Sequence, residues 1–179
     1  MGWRKSTSAS RNILGLLGAA LIAGHGLYLV FHPGAWTFLH GVDLIIHEAG
    51  HVIFAPFGEV IGILGGSMMQ LLVPLAFATY FLLARQTFGL AFCAYWTGES
   101  LVYVANYVSD ARAMALPLLG GDDSIHDWNY LLGSAGLLGS DRIIAGLLLG
   151  VAACFVVAGA IVAVQASWPT APLPSRETP

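Results

Sequence analysis

The sequence predicts an all-α, polytopic membrane helix bundle of about five transmembrane helices plus one short interfacial or re-entrant helix. The chain is 57% hydrophobic and only 9% charged, whereas a soluble domain carries roughly 25% charged residues. Several apolar runs are also long enough to cross a bilayer, which takes about 20 helical residues. We therefore expect a multi-pass integral protein of a bacterial inner (cell) membrane, surrounded by the lipid bilayer.

Five apolar segments predict the spanning helices. In chain order they cover 12–31, 35–57, 60–84, 87–110 and 143–165. The first is followed by His32-Pro33-Gly34 instead of a small-residue cleavage site, so it predicts a retained helix and not a signal peptide. The second is only half lipophilic because it carries His40 and Asp43, and we expect it to face protein.

The stretch 113–140 interrupts this pattern of spans. It contains the pair Gly120-Gly121, which is typical of a turn. Ser124 followed by Asp127 matches a helix N-cap pattern. The helix that follows, from 125 to about 138, is too short to cross a bilayer and predicts the interfacial or re-entrant element.

These boundaries divide the chain into three regions. They are a cytoplasmic N-terminal segment 1–11, a membrane-embedded helical domain 12–166 and a disordered, proline-rich tail 167–179. Cytoplasmic loops are enriched in Lys and Arg, and an inside N-terminus places five such residues in the cytoplasm against two outside. The inside set is Arg4, Lys5, Arg11, Arg112 and Arg142, and the outside set is Arg85 and Arg176. This predicts an outside C-terminus.

The second predicted helix carries the motif His47-Glu48-Ala49-Gly50-His51. Residues four apart share one helix face, so both imidazoles can bind one zinc ion. Glu48 lies about 100° around the helix from His47, which favours a general base acting on a metal-bound water over a third ligand. Ionisable groups in an apolar helix cost roughly 2–3 kcal/mol each, which favours a functional reading. We therefore expect domain 12–166 to bind Zn²⁺.

A catalytic zinc ion usually has three protein ligands, and the sequence leaves the third one open. The fourth predicted helix presents a polar stripe whose members are Glu99, Tyr103, Asn106 and Asp110. Asp110 is one candidate ligand, or else a solvated carboxylate near Arg112. His126 and Asp127 are the rivals, although the same residues also fit a simple helix cap.

Other polar and small residues carry weaker predictions. Asp43 lies four residues before His47 and can hydrogen-bond a ligand imidazole. Gln70 is interpreted as a contact between helices, with a hydrogen bond to a substrate backbone as the alternative. Gly50 is interpreted as either close packing or space for a substrate. The two cysteines, Cys93 and Cys154, predict buried thiols. With no basic patch, we expect no nucleic-acid partner.

The motif in an apolar helix, followed by Asn106 and Asp110, is similar to the site-2 protease family of intramembrane zinc metalloproteases. The resemblance implies that His47, His51 and Asp110 hold zinc and that Glu48 activates water for peptide-bond hydrolysis. The family has prolines and an Asp-Gly pair in its second motif, which this chain lacks. The match is strongest over 44–57, so the chain resembles a minimal, divergent member.

Two functions are therefore predicted. The first is a membrane-embedded zinc metalloprotease that cleaves a membrane protein or peptide, with Glu48 as the catalytic residue and a metal site drawn from His47, His51, Asp110 and His126. The alternative is a metal- or haem-binding membrane protein without hydrolysis, such as a transporter or chaperone. A site that only binds metal does not need Glu48, so replacing this residue discriminates between the protease and the binding protein.

Overall fold

A computed structural model describes residues 6–119, 121 and 124–167. These residues are mostly helical and contain no strands, which confirms the predicted all-α class. Their α-helices are α1 (Ser6–Phe31), α2 (Phe38–Phe54), α3 (Glu59–Leu83), α4 (Thr87–Ser109), α5 (Asp127–Ser134) and α6 (Asp141–Ser167). The segment 1–11, predicted to precede the first span, is helical from Ser6. The predicted disordered tail lies outside the described residues from 168 onward.

Three helical segments within the described residues are long and apolar enough to cross a membrane. They are Ile13–Phe31, Glu59–Leu83 and Leu138–Ser167. The five predicted spans are therefore not confirmed. One reason is that α2 has only 17 residues, fewer than the roughly 20 of a span. Another is that the apolar sequence of α4, a helix of 23 residues, is interrupted by its polar stripe.

The central helix is α4, which packs against α6, α3 and α1. Small residues bring α4 and α6 close together, as is common between membrane helices. A Cβ built on Gly98 would lie 2.9 Å from Val156 Cγ2, and one on Gly159 would lie 2.8 Å from the Ala91 carbonyl oxygen. A glycine is therefore needed at each crossing.

The described ends of the chain lie at the same end of the bundle. A Cβ built on Gly15 in α1 would lie 2.8 Å from Phe88 Cζ and 3.0 Å from Ser167 Cβ. Toward the other end, Leu29, Val102 and Ala152 form one buried cluster. Thus α1 and α4 run parallel while α6 runs antiparallel to both. We call the end with Gly15, Phe88 and Ser167 the first end, and the opposite one the second end.

The reason for this shared end is that α2 does not cross the bundle. It follows α1 and precedes α3, both of which meet it in the half toward the second end. Its N-cap, Thr37, lies beside Glu99 at the middle of α4, whereas Phe54 packs against Gly65 near the start of α3. The predicted outside C-terminus required α2 to be a full span, and the contacts do not support that arrangement.

Candidate metal centre

Two glycines bring the motif helix against α3. A Cβ on Gly50 would lie 2.7 Å from Met69 Cβ, and one on Gly65 would lie 2.6 Å from Phe54 Cβ. Gly50 therefore serves close packing, which was one of its two predicted roles. The contact brings the motif histidines over Gly66, where a Cβ would lie 2.5 Å from His47 Nε2 and 2.7 Å from His51 Nε2.

Both motif imidazoles converge on one carboxylate oxygen. His47 Nε2 lies 2.9 Å and His51 Nε2 lies 3.3 Å from Asp127 Oδ2. His47 and Asp127 are buried, and His51 is half-buried. The three donor atoms all lie within 4.8 Å of one another. Two imidazole nitrogens and one carboxylate oxygen are a donor set used by catalytic zinc sites.

The other ring nitrogen of each histidine faces a protein oxygen. His47 Nδ1 lies 3.2 Å from Gln70 Oε1, and His51 Nδ1 lies 3.0 Å from the Gly62 carbonyl oxygen. Both oxygens can only accept, so each Nδ1 carries the hydrogen and a neutral ring presents the lone pair of Nε2 to Asp127. Two lone pairs and a carboxylate repel one another unless a proton or a metal cation lies between them. Metal-binding histidines are held by this type of contact.

The Gln70 amide and the Asp127 carboxylate are themselves held in place. Gln70 Nε2 donates to the Ser100 carbonyl oxygen at 3.5 Å, which directs Oε1 toward His47.

Burial by itself raises the pKa of Asp127. Hydrogen bonds and positive charge from the two imidazoles in protonated form outweigh burial, so the pKa of Asp127 lies below its usual range. A metal cation among the same atoms acts in the same direction.

Asp110 and His126 lie beside this centre and contact each other. His126 Nε2 lies 3.3 Å from Asp110 Oδ2, and His126 Nδ1 accepts from the Asn129 backbone N–H at 3.2 Å. Asp110 also accepts from two backbone N–H groups. Because these partners occupy both side chains, the geometry favours Asp127 as the third ligand in place of the predicted Asp110 or His126.

Glu48 lies at the border of a cavity of about 490 Å³ that His47 also lines. The cavity separates α2 from α4, and the loop 33–36 and the segment 116–119 complete its walls. Glu48 is exposed, so its carboxylate is accessible to a water molecule in the cavity. Its role as a general base stays a prediction.

Polar side chains of α4 attach α2 and the residues just before it to the bundle. Asp43, predicted to contact a ligand imidazole, instead accepts from Trp96 Nε1 and Ser100 Oγ at 2.7 Å each. Tyr103 donates to the Ala35 carbonyl oxygen at 2.8 Å. These bonds fix the depth of α2 and therefore the position of the motif.

Two contributors to the centre were missed in the sequence, and a third was noticed without its link to His47. The packing position of Gly66 has a weak signal in the Gly65-Gly66 pair, since paired glycines indicate close helix approach. Tyr107, whose hydroxyl accepts from the Asp127 backbone N–H at 3.1 Å, has no distinguishing signal. Gln70 was noticed as a mid-helix polar group and interpreted as a contact between helices, which its bonds to His47 of α2 and Ser100 of α4 confirm.

Comparisons with known proteins give no match to this chain. Neither protein-family models, nor curated proteins, nor solved structures match it. The similarity to site-2 proteases therefore stays an expectation based on residues 44–57 and on Asn106 and Asp110.

Proposed function

We propose that the chain is a membrane-embedded zinc metallohydrolase, a peptidase that cleaves a membrane-associated protein or peptide. The observation that carries the proposal is the convergence of His47 Nε2, His51 Nε2 and Asp127 Oδ2 within 4.8 Å. Both Nδ1 atoms face protein oxygens, so the donor set fits a cation better than it fits an ordinary packed core. His47, His51 and Asp127 would hold the zinc ion.

The cavity supports hydrolysis over simple metal storage. Zinc, when bound, polarises a carbonyl group and makes water a stronger nucleophile. Glu48 borders the cavity next to His47, where its carboxylate can take the proton from the attacking water and return it to the leaving amine. The largely apolar walls, which include Leu44, Val104 and Leu118, suit an apolar peptide segment.

We further propose four membrane passes, formed by α1, α3, α4 and α6, in a bacterial inner (cell) membrane. The proposal is supported by the shared end of α1 and α6 and by the half-length path of α2. It replaces the five predicted spans and places both ends of the helical bundle on one side. Gly66 is seven residues into α3, which puts the metal centre about 10 Å from the second end.

Positive charge then assigns the sides of the membrane. By chain order, five basic residues belong to the first end and two to the second. The first set is Arg4, Lys5, Arg11, Arg85 and Arg176, and the second is Arg112 and Arg142. Under the positive-inside rule the first end is cytoplasmic, so the metal centre belongs to the half of the membrane away from the cytoplasm.

The replacement Glu48→Gln tests the proposal against metal binding without hydrolysis. We expect the purified variant to keep about one zinc per chain, because Glu48 is not among the three proposed ligands, and to lose cleavage roughly 10²–10⁴-fold. The probes are detergent-solubilised single-span peptides carrying a fluorescent donor and quencher. Glu59→Gln, which changes another exposed glutamate of the same half, is the matched control and should cleave normally.

Alanine at His47, His51 or Asp127 should remove the metal, as measured by elemental analysis after purification without chelators. Wild-type protein that lacks stoichiometric metal contradicts the metal centre. Cleavage by the Glu48→Gln variant at the wild-type rate would contradict the hydrolytic mechanism. It would not contradict the metal centre.

A further inference from the structure

The third donor of the centre lies at the start of a short helix. Asp127 is the first residue of α5, which has eight residues and follows the irregular connection from α4. So short a helix has little stability of its own. The position of the Asp127 carboxylate therefore depends on what fixes the connection and the first turn of α5.

A single carboxylate joins both ends of this connection. Asp110, the C-cap of α4, accepts from the Ala115 backbone N–H at 3.1 Å and from the Leu116 backbone N–H at 2.9 Å. Its Oδ2 also lies 3.3 Å from His126 Nε2. Within the same turn Met114 has a φ of 46°, which is uncommon for a residue other than glycine. The bonds to Asp110 hold this turn closed.

His126 connects that carboxylate to α5. Its Nδ1 accepts from the Asn129 backbone N–H and caps the helix, so Nε2 carries the hydrogen and donates to Asp110. The ring is 4% exposed and lies against Tyr107, with ring centroids 4.3 Å apart. The Tyr107 hydroxyl in turn accepts from the Asp127 backbone N–H at 3.1 Å.

A further bond ties the same turn to α4. Asn129 Nδ2 donates to the Ala111 carbonyl oxygen at 2.8 Å. The first turn of α5 is thus attached to the end of α4 through a capping side chain, a hydroxyl and an amide. From this first turn, the Asp127 carboxylate reaches both motif histidines.

We infer that Asp110 and His126 form a positioning clamp that holds Asp127 in the metal centre, and neither is a metal ligand. The inference rests on the proposed metal centre. It assigns to Asp110 a role different from the ligand role that the family resemblance implied. The same clamp fixes Leu116, and with it one wall of the cavity beside Glu48.

Replacing each member of the clamp separately tests the inference on the full-length protein in detergent. His126→Asn keeps an oxygen that can cap α5, but its shorter side chain has no donor at the position from which Nε2 reaches Asp110. Asp110→Asn keeps a single acceptor. We expect the Zn²⁺ dissociation constant, measured by competition with a chelator, to rise roughly 10- to 100-fold in each variant. The absorption spectrum of the Co²⁺-loaded protein should keep its wild-type form, because the donor atoms are unchanged.

The two replacements should also act as one unit. In the double variant we expect a loss of affinity close to that of the weaker-binding single variant, since residues of one hydrogen-bonded network are not additive. If Asp110→Asn does not yield folded protein, His126→Asn and Tyr107→Phe carry the test. Tyr107→Phe removes only the hydroxyl that accepts from Asp127.

Asp141→Asn is the matched control for general damage at this end. Asp141 is 1% exposed and pairs with Arg112 at 2.8 Å without contacting Asp127. It should lower thermal stability and leave the Zn²⁺ dissociation constant unchanged.

Three outcomes would overturn the clamp. One is unchanged zinc affinity in both clamp variants. Another is an equal loss of affinity in Asp141→Asn. The third is a Co²⁺ spectrum of altered form in Asp110→Asn, which would make Asp110 a ligand. Wild-type protein without metal overturns the centre and the clamp together, whereas normal cleavage by Glu48→Gln overturns only the peptidase.

Discussion

Replacing Gly66 with alanine would place a methyl group among the atoms that we propose bind zinc. Its Cβ would lie 2.5 Å from His47 Nε2 and 2.7 Å from His51 Nε2. Non-bonded heavy atoms normally lie about 3.5–4.0 Å apart, so each ring must retreat by about 1 Å. Ligand distances in a metal site vary by only about 0.2 Å. The two nitrogens and Asp127 Oδ2 would no longer converge.

We expect zinc affinity to fall at least about 100-fold, the upper end of the effect of disturbing groups that orient a ligand. That factor corresponds to about 2.8 kcal/mol. Alanine is favoured over glycine inside a helix by roughly 0.5–1 kcal/mol, so weaker helix propensity of α3 cannot explain the loss. The clash at the imidazoles is the dominant effect.

Zinc content and chelator competition on the purified protein measure this loss, and circular dichroism reports whether the helices remain. Gly150→Ala is the control because a Cβ built there meets nothing within 4 Å. It should bind zinc normally. A Gly66→Ala protein with wild-type zinc content and affinity would refute the assignment of Nε2 as the donor atom of both histidines.

Three further predictions concern the surroundings of the centre. Gln70→Leu removes the acceptor for His47 Nδ1 and should weaken zinc binding roughly 10- to 100-fold. Gln70→Glu keeps an acceptor and should bind zinc more tightly than the leucine variant. Equal zinc affinities in the two variants would contradict this prediction. Asp43→Ala leaves Trp96 Nε1 and Ser100 Oγ without their acceptor and should destabilise the fold by about 3 kcal/mol. The midpoint of thermal unfolding should fall, and an unchanged midpoint would contradict this prediction. Reporter fusions to the two termini should report the same compartment, and opposite compartments would contradict the four-pass arrangement.

The sequence by itself determined the helical class, the short helix α5 and the pairing of His47 with His51. These depend on local properties. Apolar runs of sufficient length favour helices in a membrane, and residues four apart share a helix face regardless of the fold. The position of Glu48 relative to the histidines was predictable for the same reason, because it is set within one helical turn.

Only the tertiary structure brought Asp127 to the two histidines and set the path of α2. Asp127 is separated from His47 by 80 residues, and the connection that delivers it has no periodicity from which a direction can be predicted. Gln70 and Gly66 join the centre because α2 and α3 pack through glycines, a contact that depends on both helices at once. Hydropathy over 35–57 measures length and polarity but not tilt, so it could not reveal that α2 begins at the middle of α4. The bonds from α4 to Asp43 set that depth, and they form only when the bundle assembles.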